Sequence, residues 1–151
     1  MIDIMDTHIH LDPNGLGVEA ARMFKKAGGT AIMLVNKPVW HVEFEELYRL
    51  TLKMASVVIR ETDLKVFVAL GPHPAYISHL MRQMDIEDAT EIMKKGIDLA
   101  IDYILEGKAH VLGEVGRPHY PVEPDVWTTS NHIMRYALER AKEAECSVIL
   151  H

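Results

Sequence analysis

Four short runs in this sequence carry side chains able to grip a cation: Asp6-Thr7-His8-Ile9-His10, Gly71-Pro72-His73-Pro74, Gly113-Glu114-Val115-Gly116 and Val148-Ile149-Leu150-His151. Imidazole and carboxylate donors suit zinc first, and manganese or magnesium where water fills the remaining positions. One or two such cations acidify a bound water to a pKa of about 7 and polarise a phosphoryl or carbonyl oxygen, which is the chemistry of hydrolysis. In an extended strand, residues two apart share a face. His8 and His10 can therefore hold one cation from the same side, with Asp6 one pleat deeper to orient a ring. The HxH pattern alone also has a plain reading, two polar residues leaving a strand. Glu114, set between glycines in an apolar strand, is costly to bury without a cation or donors. It is read as the catalytic carboxylate and a ligand bridging two metals; pairing with Arg117 or a lysine is the structural alternative.

Each of these groups stands at the end of a short run rich in Val and Ile. The strand-like runs are 2–9, 30–35, 64–70, 110–115 and 147–150. Between them lie four helical patterns, at about 17–27, 42–60, 89–105 and 125–145. In the second, Phe44, Leu47, Met54 and Val58 share a face; in the third, Met93, Ile97, Ala100, Ile101 and Ile104. The fourth aligns Ile133, Met134, Ala137, Leu138 and Ala141. Alternation of strand and helix predicts a parallel α/β sheet with right-handed crossovers and its chemistry at the C-terminal strand ends. Periodicity leaves a doubly wound sheet and an incomplete barrel both open. The stretch between Pro72 and Asp88 is longer than usual and reads as an insertion at that end. No linker divides the chain, so residues 1–151 read as one domain.

Composition excludes several classes. The chain has 151 residues, 48% apolar and 25% charged, with a formal charge of −6. That is a globular protein, neither disordered nor collagenous. No apolar run reaches the roughly 20 residues of a membrane span, and Asp3 and Asp6 interrupt any N-terminal leader. The single Cys146 excludes an internal disulfide and fits a reducing cytoplasm. The acidic balance argues against a broad non-specific DNA-binding surface.

Taken together, DTHIHLD, VALGPHP, VLGEVG and SVILH resemble, in order and spacing, the TatD-related metal-dependent hydrolases, a branch of the amidohydrolase-type barrel enzymes, and their archaeal-type members most. The resemblance covers essentially the whole chain. It implies a (β/α)8 TIM-barrel fold, of which this chain supplies about the first five strands and four helices. It further implies that His8 and His10 bind a first metal, that Glu114 bridges, and that His151 binds a second. The activity implied is hydrolysis of a phosphodiester, DNase-like, or of related ester or amide bonds, on a small-molecule or nucleic-acid substrate. The family's remaining ligands, a His after strand six and an Asp after strand eight, lie past His151, so the barrel reads as incomplete at its C-terminus. The fourth-strand loop Gly116-Arg117-Pro118-His119-Tyr120 departs from the family's Gly-Leu-Asp and reshapes the cleft.

His73 is a candidate substrate contact, with a solvated loop histidine as the alternative. Arg117 and His119 are candidate phosphate contacts, with a surface ion pair as the alternative for Arg117. His41, His79, His110 and His132 read as structural. The rival to an enzyme is a non-catalytic metal-binding or scaffold fragment of the same fold. Five strands of eight leave open parallel edges, so self-association or a complementary C-terminal segment is expected as partner.

Overall fold

The computed structural model describes residues 2–151. Its elements are β1 (Met5–Ile9), α1 (Val18–Lys26), β2 (Ala31–Val35), α2 (Phe44–Thr62), β3 (Lys65–Leu70), α3 (Ala75–Leu80), α4 (Ile86–Leu105), β4 (Val111–Val115), α5 (Pro124–Glu143) and β5 (Ser147–Leu150). The strands pair in the order β1-β2-β3-β4-β5, all parallel. Each of the first four strands is followed by a helical crossover, and the result is a five-strand half-barrel of the TIM type. Among the described residues no helix is long and apolar enough to cross a membrane.

Strand alternation divides the apolar residues between two faces. Ile32, Leu34, Val68, Leu70 and Leu112 point to the helices and share one core with Tyr48, Met93, Ile97, Ile101 and Ile133. Val35, Ala69 and Val111, with Met33 and Ile149 against them, form the smaller inner cluster. On α2 the buried stripe runs through Phe44, Leu47, Tyr48, Thr51, Ala55 and Val58. Met54, expected on that face, is half-buried beside it.

Three expectations need correcting. Leu138 of α5 is 42% exposed, because the buried stripe runs through Ile133, Ala137 and Ala141 and leaves the next position a turn-fraction outside. The expected four helices are five: the stretch after Pro74 folds into α3, six residues long. Finally, α4 starts at Ile86 rather than near residue 89, since the Asp85 carboxylate accepts the Asp88 N–H at 2.9 Å and caps the helix there.

Candidate metal centre

Both strands that carry the central ligands break their alternation just where those ligands sit. In β1 the pairing passes from Asp6 opposite Ile32 to Ile9 opposite Leu34, three residues against two. In β4 it passes from Leu112 opposite Val148 to Val115 opposite Leu150, the same count. A one-residue bulge of this kind re-aims a side chain at a strand end. Leu112 and Val115 both pack in the helix-side core, and the extra residue between them turns Glu114 into the mouth of the half-barrel. Gly113 makes that possible: a Cβ there would lie 2.7 Å from the Ile149 side chain. Gly116, at φ +145°, lets β5 close in, since its Cβ would meet the His151 carbonyl at 2.8 Å.

The two carboxylate oxygens of Glu114 face different neighbours. Oε2 looks toward His8 Nε2 at 3.4 Å and His10 Nε2 at 3.6 Å. Oε1 accepts a hydrogen bond from His151 Nδ1 at 2.8 Å. Glu114 is thereby shared by two ligand sets, His8–His10–Glu114 and His73–Glu114–His151, each with its donor atoms within 4.8 Å of one another. Burial opposes ionisation of the carboxyl, but the His151 hydrogen bond and the nearby rings of His8 and His73 outweigh it and hold the group below its ordinary pKa.

Hydrogen bonds fix which ring nitrogens are free. His10 Nδ1 lies 3.0 Å from the Val35 carbonyl, which only accepts, so Nδ1 carries the proton and an uncharged ring points a lone pair from Nε2. That lone pair stands 3.3 Å from His8 Nε2. Two imidazole nitrogens and a carboxylate oxygen thus converge on one point, the donor set and arrangement a divalent cation takes. Asp6 was expected to orient a ring. Its Oδ1 instead accepts the backbone N–H of His8 at 3.0 Å, because the bulge takes it off the face of the rings. The group that orients His10 is the Val35 carbonyl, a backbone atom with no sequence signature.

His73 is largely buried, and its Nδ1 accepts the Ala75 N–H at 3.2 Å. The uncharged ring therefore keeps its proton on Nε2 and offers a donor there. Burial, helped by the neighbouring His151 ring, pushes its pKa down to about 4, so the ring is uncharged at neutral pH. Its turn is set by Asn36, 2% exposed. The Asn36 amide donates to the Gly71 carbonyl at 3.0 Å and accepts the Gly71 N–H at 2.9 Å, continuing the sheet where the strands part. His119 Nδ1 lies 2.9 Å from His151 Nε2. With His151 Nδ1 donating to Glu114, the His151 Nε2 lone pair receives the His119 proton, and the three form one chain. Arg117 is apart from all of these: its guanidinium lies over the Trp127 ring at 4.7 Å. Of the named candidates, then, His8, His10, Glu114, His151, His73 and His119 meet at the mouth, and Arg117 does not.

A profile of the TatD related DNase family matches residues 5–151. An uncharacterized protein of Methanocaldococcus jannaschii is 35% identical over 153 residues, covering 99% of this chain and 55% of that one. Among solved structures, an uncharacterized amidohydrolase from Saccharomyces cerevisiae superposes with a TM-score of 0.71 at 14% identity, over 100% of this chain and 48% of its own. A TatD family hydrolase from Entamoeba histolytica gives 0.52 at 16% identity, over 93% and 46%. At those identities the two structures speak to the fold alone. The chain spans about half the length of the relatives it matches.

Proposed function

The chain belongs to the TatD related DNase family, and on that footing we propose that it is the metal-binding half of a metal-dependent phosphodiester hydrolase. The observation that carries this reading is the division of Glu114, one oxygen toward His8 and His10 and the other toward His151. His8, His10 and Glu114 would hold one divalent cation, and Glu114 with His151 a second, zinc first by donor type and manganese or magnesium next. When bound, such cations supply Lewis acidity toward a phosphoryl oxygen and an acidified water.

The chain's own residues do the remainder. The Val35 carbonyl keeps the His10 ring in the tautomer that presents Nε2. His73, uncharged, offers Nε2–H as a donor to a substrate oxygen without adding charge. With a cation held only by His8, His10 and Glu114, the chain from His119 through His151 to Glu114 can hold or pass a proton at the mouth. The single Cys146, with no internal disulfide partner, supports a cytoplasmic setting.

The test is metal content by elemental analysis together with turnover of bis(p-nitrophenyl) phosphate under added Mn²⁺ or Zn²⁺. Metal and turnover are both expected. Metal retained with no ester or diester cleaved would favour the non-catalytic scaffold instead.

We propose also that the edge strands β1 and β5 are paired in the working protein, with a second copy or with a complementary C-terminal segment. Met5 on β1 is 38% exposed and Leu150 on β5 58% exposed, and apolar parallel edges of this kind recruit strands. Sedimentation at low concentration, with and without a supplied C-terminal segment, decides between the two. A monomer that ignores the segment and still turns over would sink both.

A further inference from the structure

Beyond His73 and His119 the mouth opens into a cavity of about 480 Å³ whose outer walls include Trp40, His79, Arg82 and Tyr120. That is the size of a small-ligand site. Among the described residues no carboxylate lines it, in a chain whose formal charge is −6.

Trp40 is 43% exposed and yet held. Its indole meets the Tyr76 ring edge-on at 5.1 Å and leans on the His79 ring at 5.2 Å. The Tyr76 hydroxyl accepts the Val39 N–H at 2.8 Å and donates to the Val39 carbonyl at 3.0 Å, tying the loop that carries Trp40 to α3. An exposed indole fixed in this way is a stacking surface already organised before anything binds it. Beside it, Arg82 anchors its Nε–H on the Ser78 carbonyl at 3.0 Å, which leaves its terminal N–H groups for an anion.

We propose that this cavity is the specificity subsite of the centre and takes a planar ring carried on an anionic ester, the ring on Trp40 and the anionic oxygens toward Arg82 and the Nε2–H of His73. The proposal rests on the hydrolase reading above and names the residues that choose among its substrates. A ring fits better than an alkyl group because the wall it meets is aromatic and firmly placed. The ester's charge fits because Arg82 is cationic, His73 and Tyr120 can donate, and the remaining wall at Pro38 and Ala75 is uncharged.

The experiment measures Kd by calorimetry on the intact, Mn²⁺-loaded protein for methyl phosphate, phenyl phosphate and thymidine 5′-phosphate. All three share the phosphate, so the ratio between them isolates the ring. Ring-bearing probes should bind about tenfold tighter than methyl phosphate, the scale of one stacking contact. Trp40→Leu should collapse that ratio to within about twofold, leave methyl phosphate unchanged, and be rescued by Trp40→Phe. Arg82→Gln should weaken all three alike. A larger loss for thymidine 5′-phosphate than for phenyl phosphate identifies the ring as a nucleobase; equal losses identify a simple aryl group. A ratio near one in the parent protein, or unchanged in Trp40→Leu, overturns the subsite. Absence of diester turnover with the ring ratio intact overturns the hydrolase reading and leaves the subsite standing.

Discussion

On the β1 side of Glu114, the His10 lone pair, His8 Nε2 and Oε2 crowd together at 3.3 to 3.6 Å, with His10's own proton committed elsewhere to Val35. On the β5 side, Oε1, His151 and His119 are joined by hydrogen bonds of 2.8 and 2.9 Å in which every acceptor has its proton. The first arrangement has only long contacts to give up to a cation, 3.3 Å or more between its donor atoms. The second is satisfied as it stands, and a cation entering there must displace a proton from His151. One carboxylate therefore serves two sites of unequal demand. The lesson is that ligand identity alone does not rank two metal sites; what each ligand bonds to when the metal is away does so.

Removing the shared group should break both sides at once. Glu114→Gln keeps the shape but removes the charge, and metal affinity should fall by about 10²-fold or more, beyond the 10–100-fold typical of lost outer partners. Hydrolysis should fall with it. Elemental analysis after dialysis and a phosphodiester assay read the two; unchanged metal content with activity intact would end the bridging role.

The asymmetry itself is tested by pairing His10→Ala with His151→Ala. The cation that survives dialysis against a weak chelator should be lost in the first variant and kept in the second. Retention by His10→Ala and loss by His151→Ala would reverse the ranking and show that the hydrogen-bonded side is the stronger site.

A smaller effect follows from the residue that holds the two sides at their spacing. Asn36→Ala leaves the N–H and C=O of Gly71 without their buried partner. A loss of about 1–3 kcal/mol in a denaturant melt is expected. Because the same turn carries His73, KM should rise while the metal content of the β1 side stays. A variant as stable as the parent would mean that water replaces the amide.

How much of this was readable in the sequence varied with how local the cause was. The five strands followed from short Val- and Ile-rich runs bounded by Gly, Pro and Asp, and β5 began and ended where the pattern put it; their sequential order did not, since the pattern left a doubly wound sheet open and only the family resemblance implied a barrel. β1 started at Met5, since Ile4 N–H donates to the Thr30 hydroxyl at 2.9 Å instead of continuing the ladder. The cation-gripping residues were legible as types at strand ends. Their mutual geometry was not, because it depends on two bulges: Gly113 inside β4 is a signal for one, and nothing in β1 announces the other. Val35 and Asn36 were invisible for a related reason: one acts through its carbonyl, the other through a contact with Gly71 thirty-five positions away. His79, read as structural, lines a cavity with Trp40 that exists only once α3 forms.

The smallest expected effect concerns Arg117, the candidate that lies apart from both ligand sets. The sequence placed it three residues after Glu114, close enough to that carboxylate for a phosphate contact. Its guanidinium instead covers the Trp127 ring at 4.7 Å, where α5 begins. An exposed cation–π contact contributes about 0.5–1 kcal/mol. Arg117→Ala should therefore lower thermal stability slightly and leave KM, kcat and metal content as they were. A phosphate contact predicts the opposite pattern, a raised KM with unchanged stability, because the lost interaction would be one made to the bound substrate. The two readings separate cleanly on a melt and a Michaelis curve from the same preparation. A raised KM would also redraw the comparison, since a basic group would then have to swing from Trp127 toward the β5 side and favour an anionic substrate there over a second cation.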